Sequence, residues 1–322
     1  MKLQKFVDKT VIALQEYYGP TAKVETHKIY KNNGILLQSV CVLSPEKNIA
    51  PTIYLNDFFE LYETGEPFNQ IFRSIVDCID RNQIAKNLNV DFFLNYQQLK
   101  TRLVYRLIHR SRNEELLKQV PYIPFHDLAI VCHCLILNET IGTGSILIHH
   151  HHLETWGITE KELFQDAEEN SLRLEPYSLV SMTDVVKDIM RNIVAEQVEE
   201  ICREYPVNKE KMIEGALHDM VTELVHSPIS MMVLTNTSRY YGAACLVYPQ
   251  VLEEIGEKLG TDFYVLPSSV HEVIVLPVSD EGEETYLNEM IQEINQTQVE
   301  KEEWLADHAY LYQREEKSLI SI

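Results

Sequence analysis

The chain is short of the signatures that announce a chemistry. Its 322 residues contain no GxxxxGK[ST] phosphate loop, no GxGxxG turn, no HExxH helix and no GxSxG nucleophile elbow. Basic residues are scarce as well: 28 Lys and Arg stand against 49 Asp and Glu, for a net charge of −21. A field of that sign repels phosphate backbones and argues against general nucleic-acid binding. The basic cluster Arg102, Arg106, Arg110 and Arg112 reads as solvated residues on a strand and its turn. Apolar runs approaching the roughly 20 residues that span a bilayer are missing. The first twenty residues are amphipathic and carry acids, without the apolar core or small-residue cleavage site of a signal peptide. These absences lead us to expect a cytoplasmic protein with no membrane partner. The six cysteines form no CxxC pair and sit mostly in apolar segments, as reduced core thiols do.

What is present is patterning. Apolar residues recur at helical spacing over 3–18, and Gly19-Pro20 stops that helix. Strands are predicted over 22–31 and 35–43, joined by Asn32-Asn33-Gly34, a combination suited to a hairpin with positive φ. Pro67 opens an amphipathic helix carrying Phe68, Ile71, Ile75 and Ile79. Further strands are expected at 101–109, 120–125, 128–137 and 145–148. Thr159 to Glu162 is a capping box. Helices follow from about Thr183 and over 209–225. Pro249 to Gly260 is a helix with a start and a stop, strands cover 262–266 and 272–276, and a helix over 283–297 precedes a strand near 309–312.

The pattern predicts an α+β fold with mixed or mainly antiparallel sheets, built as meanders and hairpins and packed with amphipathic helices. A soft boundary at charged residues before Pro121 suggests an N-terminal α+β subdomain, 1–115, and a C-terminal one, 116–322, or a single continuous domain. Gly242 to Cys245 is a small-residue patch, expected where backbones approach closely.

Candidate chemistry is sparse. His149 to His152 is an internal histidine run; His149 and His152 would share a face if a helix starts there, with Glu154 as a third metal ligand. A polar strand-to-helix junction without a metal is the preferred reading of the run, since adjacent histidines fan out and one metal cannot easily use all four. Cys132-His133-Cys134 has no second Cys/His pair to complete four ligands and reads as a buried strand. His126-Asp127 reads as a surface turn. Ser268, Ser269, His271 and Glu272 bring hydroxyl, imidazole and carboxylate together in sequence, but a catalytic site needs them convergent in space. A polar pocket rim formed by Ser268, Ser269, His271 and Glu272 with Asn236, Thr237, Arg239 and Tyr241 is the functional alternative to a plain turn.

Two long stretches, HLETWGITEKELFQDAEENSLRLEP and MMVLTNTSRYYGAACLVYPQVLEEIGEKLGTDFYVLPSSVHEVIVLP, carry a resemblance. With the segment from PTIYLNDFFELYETG onward, they resemble the uncharacterised bacterial family called domain of unknown function 5688, over almost the whole chain. The resemblance implies a cytoplasmic protein of anaerobic gut Firmicutes and transfers no catalytic residue. The expectation is a non-enzymatic protein that binds a small molecule or a protein partner, without a cofactor. The alternatives are a hydrolase or transferase at Ser268–Glu272, and a toxin, immunity or phage-related interaction protein, whose acidity would suit partner mimicry.

Overall fold

The computed structural model describes residues 2–45, 50–82, 91–138, 142–204, 231–267, 269–278 and 284–322. The first core is local in sequence. Helix α1 (Leu3–Tyr18) precedes the hairpin β1 (Lys23–Tyr30) and β2 (Leu36–Leu43); β3 (Ile53–Tyr54), α2 (Asn56–Glu63) and α3 (Phe68–Arg81) follow. The strands form a three-stranded antiparallel sheet, β1-β2-β3. The helices cover one face of it, burying Phe6, Leu14, Val40, Val42, Ile71 and Ile75. Asn33 takes the positive φ of 60° that the Asn-Asn-Gly turn predicts.

The hairpin tip docks on the rest of the chain through amide groups. The Asn33 backbone N–H donates to Asn113 Oδ1 at 2.8 Å, and Asn113 Nδ2 donates to Asn32 Oδ1 at 2.9 Å. Asn33 Nδ2 reaches the carbonyls of Lys301 and Trp304, both at 2.8 Å, and Asn32 Nδ2 that of Glu302 at 2.7 Å.

Two short helices, α4 (Asp91–Leu94) and α5 (Tyr96–Leu99), lead to β4 (Leu103–His109), α6 (Glu114–Leu117), β5 (Tyr122–Phe125), β6 (Leu128–Asn138) and β7 (Gly142–Leu147). β6 pairs with β4 on one side and with β5 and β7 on the other. Helices α7 (His150–Trp156) and α8 (Glu160–Leu174) follow, α8 starting at the predicted Thr159 capping box. A strand that the sequence did not suggest, β8 (Tyr177–Ser181), precedes α9 (Met182–Glu204). The helix expected over 209–225 lies outside the described residues.

The last part holds β9 (Met232–Asn236), a 3₁₀ turn (Gly242–Val247), α10 (Val251–Leu259), β10 (Phe263–Leu266), β11 (Val273–Pro277), α11 (Glu284–Thr297), β12 (Tyr310–Gln313) and β13 (Ser318–Ser321). β8 to β13 form a six-stranded antiparallel sheet in the order β13-β12-β10-β11-β9-β8. One face joins β4–β6, α8, the 3₁₀ turn and α10 in the main core, with Leu103, Leu128, Phe164, Leu234, Ile255 and Val275. α11 covers the other face through Leu287 and Ile291. The fold is thus α+β, and every strand pairing among the described residues is antiparallel.

One basic residue departs from its expected solvated position. Arg106 is fully buried on β4, paired with Glu175. Burial of all seven residues of β4 forces this, since an arginine there has no route to water and must find an anion inside.

Candidate functional site

The loop after β9 and the loop between β10 and β11 meet, and the clamp is built mainly from side chains bonded to backbone groups. Asn236 is buried; its Nδ2 donates to the Tyr240 carbonyl at 2.9 Å, and its Oδ1 accepts from Ser238 Oγ at 2.9 Å and from the Tyr240 N–H at 3.2 Å. That side chain curls the loop so tightly that Arg239 and Tyr241 both stand at φ 54°, a costly conformation for an aromatic residue. The Tyr241 N–H then donates to His271 Nδ1 at 3.1 Å, and Thr235 Oγ1 to the His271 carbonyl at 2.8 Å. Ser269 Oγ accepts the His271 N–H at 3.1 Å.

An imidazole whose Nδ1 accepts a backbone hydrogen bond carries its proton on Nε2. In His271 that nitrogen faces Glu303 Oε1 at 3.3 Å. The carboxylate partner is therefore Glu303, not the neighbouring Glu272, which is exposed. Thr237 and Arg239 are exposed too, and Thr237 contributes its N–H to the Pro176 carbonyl. Ser268 lies outside the described residues. Tyr241, Ser269 and His271 are joined by hydrogen bonds, while the Asn236 side chain bonds within its own loop, to Ser238 and Tyr240.

The clamp sits beside a buried ion pair. The Arg106 guanidinium lies 5.3 Å from the Tyr241 ring centre and holds Glu175 bidentately, through Nη2–Oε1 at 2.9 Å and a shorter Nη1–Oε2 contact. Arg106 Nε has no hydrogen-bond partner, and the buried Tyr248 hydroxyl lacks a well-formed one. Burial pushes the Tyr241 phenol and the Cys245 thiol up to about 12, so both stay neutral.

The histidine run starts α7. The His149 N–H donates to His152 Nδ1 at 3.0 Å, closing the first turn. The His152 ring stacks on Trp156 and meets Phe93 edge-on. With Nδ1 engaged, His152 has only Nε2 left for a metal. Burial, then His151 and His149, push its pKa down from 6.5 to about 4. The unfolded chain therefore takes up this proton first as pH falls. The stability held by neutral His152 is complete above pH 6.5 and is lost between there and pH 4. His133, pushed down to about 3 by burial, by Arg106 and by His149, acts with the same sign. We expect the urea midpoint to fall from pH 7 to pH 5, and to fall less in His152→Gln; an unchanged slope in that variant would remove His152 from the account.

Cys132 and Cys134 join the main core, and burial raises both thiols. His133 lies on the opposite face, 3.0 Å from Ser145 Oγ.

A constellation absent from the sequence reading surrounds Asp127. Tyr310 donates its hydroxyl to the carboxylate, with His308 Nε2 3.6 Å and His109 Nε2 3.7 Å away. Burial, then Arg112, hold the His109 pKa low. Two of these partners stand more than 180 residues downstream of Asp127, so spacing carries no trace of them.

The concave surface lies elsewhere. One cavity of about 410 Å³ is walled by Phe125, Tyr248, Leu252, Tyr312 and Leu319. A second, of about 590 Å³, is walled by Tyr105, Tyr122, Ile123 and Phe164. Both include Ile130 and Val247 in their walls, so they adjoin along a groove that runs from α10, β12 and β13 past these two residues to β5 and α8. Its rim carries Glu160, Lys161, Glu168 and the ion-paired Glu253 and Lys317.

The family described as "Family of unknown function (DUF5688)" matches residues 3–314. The chain belongs to that family. No curated protein and no solved structure matches it. The DUF5688 match takes in the clamp, the Asp127 constellation and most of the groove; Lys317 and Leu319 of the groove lie beyond it. Among the described residues of this DUF5688 chain, no helix is long and apolar enough to cross a membrane.

Proposed function

We propose that this DUF5688 chain is a non-enzymatic binding protein that holds a small, largely apolar molecule in the groove beneath Ile130 and Val247. The observation that carries the reading is the groove itself. Its two cavities, about 410 and 590 Å³, fall in the usual range of ligand pockets, and aromatic and aliphatic side chains wall them. The net charge of −21 favours a neutral or cationic ligand over an anionic one. The reading includes a bacterial, cytoplasmic setting, as in gut Firmicutes; the five described cysteines, all free, support only its reducing compartment.

A hydrolase or transferase at the β10–β11 loop is less favoured. Both ring nitrogens of His271 already face partners, and Ser269 Oγ accepts from a backbone N–H rather than facing the imidazole.

A thermal-shift panel of neutral and cationic aromatic compounds tests the groove. Compounds that raise Tm in the parent protein are expected to lose their effect in Val247→Trp, which fills the junction of the cavities, and to keep it in Tyr240→Ala in the clamp. The opposite pattern, survival in Val247→Trp with loss in Tyr240→Ala, moves the site to the clamp and overturns the groove.

A further inference from the structure

The face of the N-terminal hairpin turned away from its helices gathers three metal-ligating side chains of different chemistry, from the exposed His27 to the buried Cys41. Glu25 and His27 alternate on β1, so both point to one face, and Cys41 on β2 is the direct register partner of Glu25. This is the face away from α1, α2 and α3, whose core takes Val40 and Val42 from the alternate positions. His27 Nε2 lies 3.8 Å from Cys41 Sγ and 3.8 Å from Glu25 Oε2, and one ligand atom from each residue lies within 4.8 Å of the other two.

Those separations can be set against a known geometry. Zinc bonds of about 2.0–2.3 Å at tetrahedral angles hold donors about 3.4–3.6 Å apart. The two separations from His27 thus stand within a few tenths of an ångström of one coordination sphere, and the third, between Glu25 and Cys41, lies within 4.8 Å before any ion draws the donors in. The geometry points to a zinc-type divalent metal site formed by Glu25, His27 and Cys41. It is independent of the groove and of the reading built on it.

The charges agree. A thiolate and a carboxylate balance a divalent cation, and the imidazole binds neutral. Lys23 pairs with Glu25 through Oε1, which leaves Oε2 facing His27 and orients the carboxylate as an outer partner does in metal sites. Three protein donors leave a fourth position for water or an external ligand. A cysteine must lose its thiol proton to ligate a metal, so affinity is expected to rise with pH.

The test is titration of the full-length chain with Co²⁺ under reducing conditions, followed by Zn²⁺. The expected result is a sulfur-to-cobalt charge-transfer band with tetrahedral d–d absorption, bleached by Zn²⁺. Cys41→Ser should abolish the sulfur band, and His27→Ala should weaken cobalt binding by about 10-fold or more. The His149–His152 run can bind cobalt only through nitrogen, so it cannot produce that band. His27 is exposed, so His27→Ala keeps the test informative even if Cys41→Ser lowers stability. Absence of the band in the parent chain, its persistence in Cys41→Ser, or unchanged affinity in His27→Ala each overturns the site.

Discussion

Gly242→Ala is expected to destabilise the protein by about 3 kcal/mol or more, enough to lower its yield as a folded chain. A methyl group at residue 242 would stand 2.1 Å from Thr235 Oγ1, 2.6 Å from the Asn236 nitrogen and 2.6 Å from the His271 carbonyl oxygen. Two of those three atoms are backbone, on either side of the β9–β11 pairing. The third donates to the same His271 carbonyl, so moving it breaks a hydrogen bond. Nothing near the glycine can yield cheaply. Gly256→Ala supplies the contrast. Its methyl would meet only the Tyr312 and Arg314 side chains, at 3.1 Å and beyond, and alanine suits a helix interior better by about 1 kcal/mol. Urea unfolding of the two variants should separate them clearly; a Gly242→Ala midpoint equal to that of the parent would refute the tight approach.

Arg106→Met is expected to cost about 3–5 kcal/mol, because it strands Glu175 as a buried charge without a partner. The Arg106 side chain is 0% exposed and that of Glu175 is 6% exposed, so water cannot take over the role of either. The cation beside the Tyr241 ring goes as well, and with it part of what holds that residue at positive φ. The double variant Arg106→Met, Glu175→Leu should recover most of the loss, since a well-packed apolar pair of similar volume can replace a buried ion pair. Denaturation midpoints of the two single variants and the double decide the matter. A loss in the double variant equal to the sum of the two single losses would mean that the charges do not depend on each other.

The elements that the sequence announced are those whose causes are local. Asn32-Asn33-Gly34 made its hairpin because a two-strand turn with positive φ is written in adjacent residues. Thr159 and Glu162 capped α8 across three residues, and the Phe68 to Ile79 stripe buried itself as its period required. The small-residue patch at Gly242 to Cys245 was legible too, because a run without bulk implies something close by. β8 escaped notice because five residues between two helices have too little length to show a strand period. β13 did so because Ser318-Leu-Ile-Ser321 follows a charged turn and is only half-buried.

The site was less legible, for a different reason. His271 and Glu272 are neighbours in sequence, yet the imidazole turns to Glu303, which the loop after α11 delivers. Glu25, His27 and Cys41 meet only once the hairpin register is known, and a shift of one residue would move Cys41 to the other face. Arg106 gave no sign of burial, since its partner is 69 residues away.

The asparagine contacts at the hairpin tip also set an order of events at the ribosome. The first core needs nothing beyond Ile79, so its helices and hairpin can pack while most of the chain is still unmade. The carbonyls that receive Asn32 and Asn33 belong to Lys301, Glu302 and Trp304, as much as 271 residues later in the chain. At a synthesis rate of ~5–20 residues per second, the finished N-terminal unit waits roughly 11–45 s before those carbonyls exist. During that interval only Asn113 is present to hold the hairpin tip, and the side-chain amides aimed at residues 301–304 face solvent or a chaperone.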